Sequence, residues 1–343
     1  MPSASSKTVA QVKRVLLFAA CLLVLAGCKH KQSAPSPAAT AVDYSRVAAP
    51  VFVADSALAY ADAQLACGPR VPGSRGWERC AEYLQHQLGR WVDTLCVQTF
   101  HTTLWDGSTV PGRNIIGSFR PEAQRRVLLA AHWDSRAWAD HDDNPALQRS
   151  PVPGANDGAS GVALLLEMAR CMAQMPPQVG VDIVFFDVED QGVPEWSEVY
   201  DDHSWCKGAQ YWARTPHVPY YAAQYGVLFD MVGCPEPRFT KEYISRQYAP
   251  GLTDKLWRVA AALGYGSIFV DQQTDPILDD HLYVNRLAGI PMVDIVQNSP
   301  SCSFFSHWHT TTDDRESLDG KSLEAVARTV LTMIYADFPS DER

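Results

Sequence analysis

The sequence predicts one α/β domain with a mostly parallel central β-sheet flanked by helices. Short apolar runs, which suit strands buried on both faces, alternate with segments of helical periodicity through the middle of the chain. Carboxylate and imidazole side chains follow several of these runs, and the carboxyl edge of a parallel sheet is where α/β proteins place their functional groups. A chain of 343 residues with 46% hydrophobic content can bury one large core.

The N-terminal segment is predicted to be a bacterial lipoprotein signal. Lys13 and Arg14 precede the apolar run 15–26, which is short for a membrane-spanning helix and fits a signal-peptide core. Because the run ends in Leu-Ala-Gly-Cys, residues 1–27 are expected to be removed and Cys28 to carry lipid. Acyl chains on Cys28 would anchor the protein to a membrane, in the bacterial cell envelope and facing the periplasm. The alternative is an ordinary secretory signal that happens to contain a cysteine.

The remaining chain divides into a tether and a globular domain. Residues 28–50 hold the lipidated cysteine and a flexible stretch rich in Ala, Ser and Pro, and the folded domain is expected over residues 51–343. The net charge is −10 and no basic run occurs, which argues against a nucleic-acid partner. The nine cysteines include no C-x-x-C pair, so a cysteine-rich zinc site is not expected, and any disulfide pairing stays open. We expect a monomer.

Periodicity and turn residues predict the helices and strands in order. Helices are expected over residues 55–65, 78–88, 162–172, 253–263 and 323–335. Strands are expected over residues 114–119, 127–131, 181–186, 227–229 and 292–296. The stretches 137–153 and 192–204 lack periodicity, and loops of this length in a domain are usually functional.

Four of the predicted strands carry or run into side chains that bind metals. In chain order these side chains are His132 and Asp134, Glu189 and Asp190, Asp230, and Asp294. Because the carboxyl ends of parallel strands meet at one edge of a sheet, we expect these side chains to lie close together. A mixture of Asp, Glu and His without clustered Cys suits a catalytic zinc ion with an open coordination position.

Each motif taken alone also has an ordinary explanation. His132 in His-Trp-Asp is compatible with a core histidine, and Asp157 in Asn-Asp-Gly with a helix N-cap. The adjacent acids Glu189 and Asp190 are compatible with a solvated loop, and His309 in Trp-His-Thr with an ordinary loop histidine. The order and spacing of the motifs together carry the functional interpretation.

The motifs resemble those of the zinc-dependent aminopeptidases with a co-catalytic metal site, over about residues 51–340. Within that superfamily the chain is more similar to the animal-type, zinc-dependent glutaminyl-peptide cyclotransferases. The similarity rests on four features: the turn 68–74, Asp279 where aminopeptidases usually carry Ser, Trp308 before His309, and a long loop with Trp196 and Trp205. The string 202–208, together with the lipobox, resembles the bacterial lipoprotein branch of this group.

The resemblance implies a zinc enzyme that acts on N-terminal Gln residues. The expected reaction converts the N-terminal Gln of peptides or proteins to pyroglutamate and releases ammonia. One zinc ion would be bound by Asp157, Asp190 and His309. Glu189 would serve as the general base and acid.

The resemblance also implies what surrounds these residues. Asp230 and Asp279 would form a hydrogen-bond network with Glu189, in which the clustered carboxylates share at least one proton. The substrate pocket would use tryptophans, namely Trp308 with either Trp205 or Trp196.

Three positions bear on the number of metal ions and on the shape of the pocket. Asp190 stands where the animal cyclases have Glu, Asp294 stands where they have a His near the substrate, and His132 is retained although the cyclases resemble one-zinc enzymes. His132 could complete a second metal site with Asp230, or it could be structural. The alternative function is an aminopeptidase that releases N-terminal residues with two zinc ions bridged by Asp157. A lipid-anchored binding protein without activity is the third hypothesis.

Overall fold

A six-stranded sheet crosses the protein, whose computed structural model describes residues 42–301 and 303–339, and two further strands pair separately. The strands are β1 (Thr94–Thr103), β2 (Thr109–Phe119), β3 (Arg126–His132), β4 (Gly180–Phe186), β5 (Tyr225–Asp230), β6 (Phe239–Glu242), β7 (Phe269–Thr274) and β8 (Met292–Val296). The helices are α1 (Ala54–Leu65), α2 (Arg75–Gly89), α3 (Ser160–Gln174), α4 (Lys207–Arg214), α5 (Tyr243–Tyr248), α6 (Pro250–Ala262), α7 (Asp280–Tyr283) and α8 (Gly320–Asp337).

The order of strands in the large sheet is β1-β2-β4-β3-β5-β8. Strands β4, β3, β5 and β8 are parallel to one another, whereas β1 and β2 are antiparallel to their neighbours. The prediction of a mostly parallel sheet is confirmed, and every predicted strand lies within an observed one. Strand β1 has no counterpart in the prediction, because Phe100 is its one buried side chain and no apolar run marks it.

Helices cover both faces of the large sheet. Successive side chains of a strand point to opposite faces, so Val127 and Leu129 of β3 pack with α1, α2, α3, α6 and α8. Leu128 and Ala130 of the same strand pack on the other face with α4 and α7. Every residue of β3 and β4 is buried, as expected for strands covered on both sides. The five predicted helices correspond to α1, α2, α3, α6 and α8.

The first described residues lie on the domain rather than in a free tether. A 3-10 turn spans Tyr44–Arg46, and Tyr44, Val47 and Ala49 pack against the main core. Among the described residues, packing against the core therefore includes residues before the predicted domain start at residue 51, because a few scattered apolar side chains in an Ala-rich stretch are a weak signal. The predicted signal segment and Cys28 lie outside the described residues. Among the helices that the structure describes, none combines the length and hydrophobicity needed to cross a membrane.

Candidate active site

The carboxyl ends of three neighbouring parallel strands bring together four of the predicted side chains. His132 is the last residue of β3, Asp230 is the last residue of β5, and Glu189 and Asp190 follow β4 closely. Because β3 pairs with both β4 and β5 in parallel register, the topology alone places these residues at one edge.

Asp157 lies in a tight turn, Ala155–Ala159, that leads into α3. The Asp313 carboxylate accepts hydrogen bonds from two successive backbone N–H groups of this turn, at 2.9 and 3.0 Å. Gly158 has a φ of +99°, and a Cβ atom there would lie 2.5 Å from the backbone oxygen of Asp134, so the turn requires glycine. These contacts hold the Asp157 carboxylate at the edge of the sheet.

The two oxygens of Asp157 face two different sets of side chains. Its Oδ1 lies 3.0 Å from His132 Nε2, which is also 3.1 Å from Asp230 Oδ1. Its Oδ2 lies 3.7 Å from His309 Nε2, which is 3.2 Å from Asp190 Oδ1. We call Asp157, Asp230 and His132 the His132 group, and Asp157, Asp190 and His309 the His309 group.

The His309 group has the donor atoms of a zinc site. Its two carboxylate oxygens and one imidazole nitrogen lie within 4.8 Å of one another, and the three side chains are buried yet line one wall of a cavity. Three protein ligands of this kind leave the fourth tetrahedral position for a water molecule or substrate. These residues therefore fit a catalytic zinc ion. The donor atoms of the His132 group also lie within 4.8 Å of one another, but His132 itself is not among the residues that line the cavity.

Arg136 and Asp140 support the His309 group. The buried Arg136 guanidinium donates to both oxygens of Asp140 at 2.7 and 2.6 Å, and to Asp190 Oδ1 at 3.2 Å. Asp140 Oδ1 lies 3.4 Å from His309 Nδ1. Burial favours a raised pKa for Asp140, but the hydrogen bonds from Arg136 and the nearby imidazole of His309 outweigh it and hold that pKa below its usual range. A carboxylate next to the outer nitrogen of a metal-binding histidine orients the imidazole ring. No pattern in the sequence predicted the Arg136–Asp140 pair.

Asp134 fixes the loop that carries the two adjacent acids. Its carboxylate accepts hydrogen bonds from Glu189 N at 3.0 Å, from Asp190 N at 3.2 Å and from the Gln191 side-chain amide at 2.9 Å. Burial raises the pKa of Glu189 well above its usual value, and the His132 imidazole opposes this only in part. A carboxyl group with a raised pKa can both accept and donate protons under neutral conditions.

A cavity of about 290 Å³ opens beside the His309 group. Trp308 lies against the His309 ring, with 3.7 Å between ring centroids, and Trp205 lies nearly parallel to that ring at 6.1 Å. The cavity wall combines the acids Glu189, Asp230 and Asp279 with apolar side chains that include Trp205, Trp308, Phe304 and Ile277. The predicted catalytic acids and two of the predicted tryptophans therefore share one cavity.

Trp196, the alternative pocket residue, lies elsewhere. It packs edge-on against Trp138 at a centroid distance of 6.1 Å, and the Arg149 guanidinium lies 3.7 Å from its ring centroid. Trp196 is not among the residues that line the cavity, whereas Trp205 is. The sequence could not separate the two because both follow the acidic pair in the same long loop.

Asp294 lies behind Asp279 rather than in the cavity wall. Side-chain atoms of Asp279, His281 and Asp294 lie within 4.8 Å of one another in the buried interior, and His281 Nε2 is 3.2 Å from Glu242 Oε1. Burial, with the neighbouring Asp279, raises the pKa of Asp294 well above its usual value. Buried carboxyl groups this close hold protons jointly. Asp294 therefore lies behind Asp279 and does not itself line the cavity.

Known proteins have sequences related to this chain. Residues 114–334 match the profile of Peptidase family M28. The glutaminyl-peptide cyclotransferase of Bothrops jararaca is 26% identical over 293 residues, which cover 77% of this chain and 76% of that protein.

Solved structures of bacterial proteins are more similar still. The glutaminyl cyclase of Tannerella forsythia is 46% identical with a TM-score of 0.82, over 86% of this chain and 100% of that chain. A Zn-dependent exopeptidase from Parabacteroides distasonis is also 46% identical with a TM-score of 0.82, over 84% of this chain and 99% of that chain. Together with the donor set of the His309 group, these similarities confirm the zinc-aminopeptidase-like fold and zinc as the cofactor. The chain therefore belongs to peptidase family M28.

Proposed function

We propose that the protein is a zinc-dependent glutaminyl-peptide cyclotransferase, which converts the N-terminal Gln of a peptide to pyroglutamate and releases ammonia. The observation that carries the proposal is the position of Asp279 in the cavity, with a carboxylate oxygen within 4.8 Å of one oxygen of Glu189. An acid at this position can bind the side-chain amide nitrogen of an N-terminal Gln. The similarity to glutaminyl cyclases from animals and bacteria supports the same conclusion.

The chemistry begins at the α-amino group of the substrate. Zinc bound by Asp157, Asp190 and His309 would polarise the side-chain carbonyl of the Gln. Glu189 accepts a proton from the α-amino group, whose nitrogen attacks the carbonyl carbon. Because this nucleophile belongs to the substrate, the reaction requires no Ser or Cys nucleophile from the chain.

The same carboxyl group completes the reaction. Glu189 donates its proton to the amide nitrogen, so the carbon–nitrogen bond breaks and ammonia leaves. Asp279 accepts a hydrogen bond from that nitrogen and keeps it close to Glu189. Burial raises the pKa of Asp230, which lines the same cavity, to about 7, so this carboxyl group can gain or lose a proton near neutral pH.

The aromatic walls of the cavity position the substrate. Trp205 and Trp308 both stack on the His309 ring and line the cavity, where they can pack against the substrate side chain. The bound N-terminal Gln is held with its α-amino group next to its side-chain carbonyl. This restriction of a flexible side chain to a reactive geometry supplies part of the rate acceleration. Apolar walls also exclude water, which would otherwise compete with the amine.

The direct test is to incubate the purified protein with a peptide that begins with Gln and to follow the peptide by mass spectrometry. We expect loss of one ammonia from the peptide, no loss in the presence of a zinc chelator, and recovery when zinc is restored. A matched peptide that begins with Ala should remain intact. Release of free N-terminal residues from either peptide would contradict the proposal.

An aminopeptidase is the second candidate, and one observation favours it. The His132 group offers Asp157, Asp230 and a histidine at metal-binding distances, as a two-metal enzyme would. The similarity to a Zn-dependent exopeptidase is compatible with this function. The carboxylate of Asp279 beside Glu189 argues for the cyclase, because an activated water molecule does not need a second acid to hold an amide nitrogen.

We also propose that the protein is anchored in the bacterial cell envelope through lipid on Cys28 and faces the periplasm. The support is the sequence of residues 1–28, with its basic start, short apolar run and lipobox. Substitution of Cys28 by Ser should release the protein from the membrane fraction, and continued sedimentation with membranes would contradict the anchor.

A further inference from the structure

The thiol of Cys206 contacts the proposed catalytic base. Its Sγ donates a hydrogen bond to Glu189 Oε1 at a distance of 3.3 Å, and Cys206 is completely buried. The other carboxylate oxygen, Oε2, lies 3.8 Å from His132 Nδ1. The two oxygens of Glu189 therefore have different neighbours, and among the described side chains the thiol of Cys206 is the one that donates a hydrogen bond to Oε1.

The backbone places this thiol with little freedom. Cys206 N donates to Glu189 O, Lys207 N to Val188 O, and Gly208 N to Asp187 O, each at 2.9 Å. Three successive bonds tie the start of α4 to the loop that carries the base. A Cβ atom at Gly208 would lie 2.3 Å from the Asp187 backbone oxygen, so this close approach requires glycine.

Cys206 and Val188 also have unusual backbone conformations. Both have a φ of +55°, in the left-handed region that residues other than glycine rarely adopt. Such conformations persist only where surrounding contacts impose them, and they concentrate at functional sites. Val188 precedes Glu189 in the chain, and the backbone N–H of Cys206 donates to the backbone oxygen of Glu189. The surrounding structure therefore imposes a specific backbone geometry next to this carboxyl group.

We propose that Cys206 is a positioning residue for Glu189, holding one carboxylate oxygen so that the other oxygen and the side-chain rotamer stay in place for proton transfer. The inference rests on the proposed cyclase function and deepens it. A thiol is a weak donor, so it restricts the carboxyl group while withdrawing little of its basicity. A hydroxyl group could make the same bond, whereas a methyl group could not.

A purely structural role for Cys206 makes a different prediction. The residue belongs to the apolar cluster with Phe186, Ala209 and Trp212, and buried cysteine behaves as a small hydrophobe. If packing were its whole role, Cys206→Ala would disturb the protein less than Cys206→Ser, which buries a hydroxyl group. If positioning is its role, the order of activities reverses, and Cys206→Ser is the more active variant.

The experiment compares Cys206→Ala and Cys206→Ser with the parent in the cyclisation of a Gln-initiated peptide. We expect kcat of Cys206→Ala to fall about tenfold or more with KM within about twofold, because small displacements of a catalytic group are costly. Cys206→Ser should remain within about threefold of the parent in kcat, and both variants should retain the parent's bound zinc. An inactive parent would contradict the proposed function itself, before any variant is compared.

The matched control is Cys171→Ala. Cys171 is equally buried, and its thiol donates to Val51 O at 3.2 Å near the far end of α3. The control removes the same thiol group as Cys206→Ala, but from a cysteine that does not contact Glu189. Its kcat should therefore stay at the parent value. Equal kcat for Cys206→Ala and the parent, or a lower kcat for Cys206→Ser than for Cys206→Ala, would overturn the proposal.

A spectroscopic measurement keeps the inference testable if Cys206→Ala does not fold. The infrared S–H stretching band of Cys206 can be identified in the parent by its absence from Cys206→Ser. We expect this band to move to the position of an unbonded thiol in Glu189→Ala. A band that stays in place would show that the thiol does not bond to Glu189 and would overturn the proposal.

Discussion

The two sides of Asp157 differ in what surrounds them, although both bring a histidine and a second aspartate to metal-binding distance. On one side, His309 and Asp190 line the cavity beside two tryptophans, and the Arg136–Asp140 pair contacts them from behind. On the other side, His132 Nε2 lies between Asp157 and Asp230 at 3.0 and 3.1 Å and does not line the cavity.

This difference indicates that the distances between donor atoms are not sufficient to define a catalytic metal site. The His309 group opens to the cavity and has an oriented histidine, and a catalytic zinc ion needs both features. In the His132 group, the imidazole lies within hydrogen-bond distance of the carboxylates of Asp157 and Asp230 and can balance their charge in place of a metal ion. Burial favours a lowered pKa for His132, but the nearby carboxylates of Asp134, Asp157 and Asp230 outweigh it and raise that pKa well above its usual value.

The largest expected effect is the loss of zinc from Asp190→Ala. Removing one of three protein ligands should weaken zinc binding by more than the roughly 10–100-fold that follows the loss of an outer hydrogen-bond partner. The matched control is Asp230→Ala, which removes the corresponding carboxylate from the His132 group and should retain zinc. Competition with a chromophoric chelator measures the zinc affinity of both variants. Equal loss of zinc in the two would contradict the proposed difference between the groups.

Glu189→Gln should abolish most turnover while zinc remains bound. The substitution keeps the size of the side chain and removes its proton transfer, so kcat should fall by roughly 10²–10⁴-fold. Metal analysis and steady-state kinetics on the same preparation check this. Full activity in this variant would show that another group is the base.

Asp140→Asn should weaken zinc binding without removing a ligand. The amide cannot accept both hydrogen bonds from Arg136 and no longer orients His309 as an anion, so we expect about a 10–100-fold weaker zinc affinity. The control is Asp143→Asn, which removes the same charge from an exposed position on the same loop. Indistinguishable affinities in the two variants would mean that the pair does not support the site.

His132→Gln should have the smallest effect. The amide nitrogen of Gln can donate to one of the two carboxylates that the imidazole bridges, so zinc should stay at one per chain. We expect kcat/KM to fall by about tenfold or less, because the change acts on Glu189 through a neighbour rather than on the reacting atoms. Loss of both activity and half of the bound metal would instead identify His132 as a ligand of a second zinc ion.

The sequence predicted which residues meet because the sheet itself brings them together. Apolar runs at β3, β4 and β5 identified three neighbouring parallel strands, and the residues after them had to share an edge. His309 and Asp279 come from loops that no periodicity places. Their assignment therefore depended on the resemblance to a known family, and the structure brings both to the cavity.

The residues that hold the site in place could not be predicted in this way. Arg136, Asp140 and Cys206 lie in irregular segments, and their partners are distant in the sequence or reached through a turn. Such contacts depend on the way in which the long loops fold over the edge of the sheet. The sequence could not distinguish Trp205 from Trp196 for the same reason, because both tryptophans lie in the long connection between β4 and α4, where no periodicity indicates the positions of side chains.

The most direct test of the difference between the two groups is a titration of the metal-free protein with zinc, in which bound metal and cyclisation of a Gln-initiated peptide are measured together. We predict that activity rises linearly and reaches its plateau at one zinc ion per chain, with no further increase as more zinc is added. A plateau that requires two zinc ions per chain would contradict the account, because it would make the His132 group a second catalytic metal site.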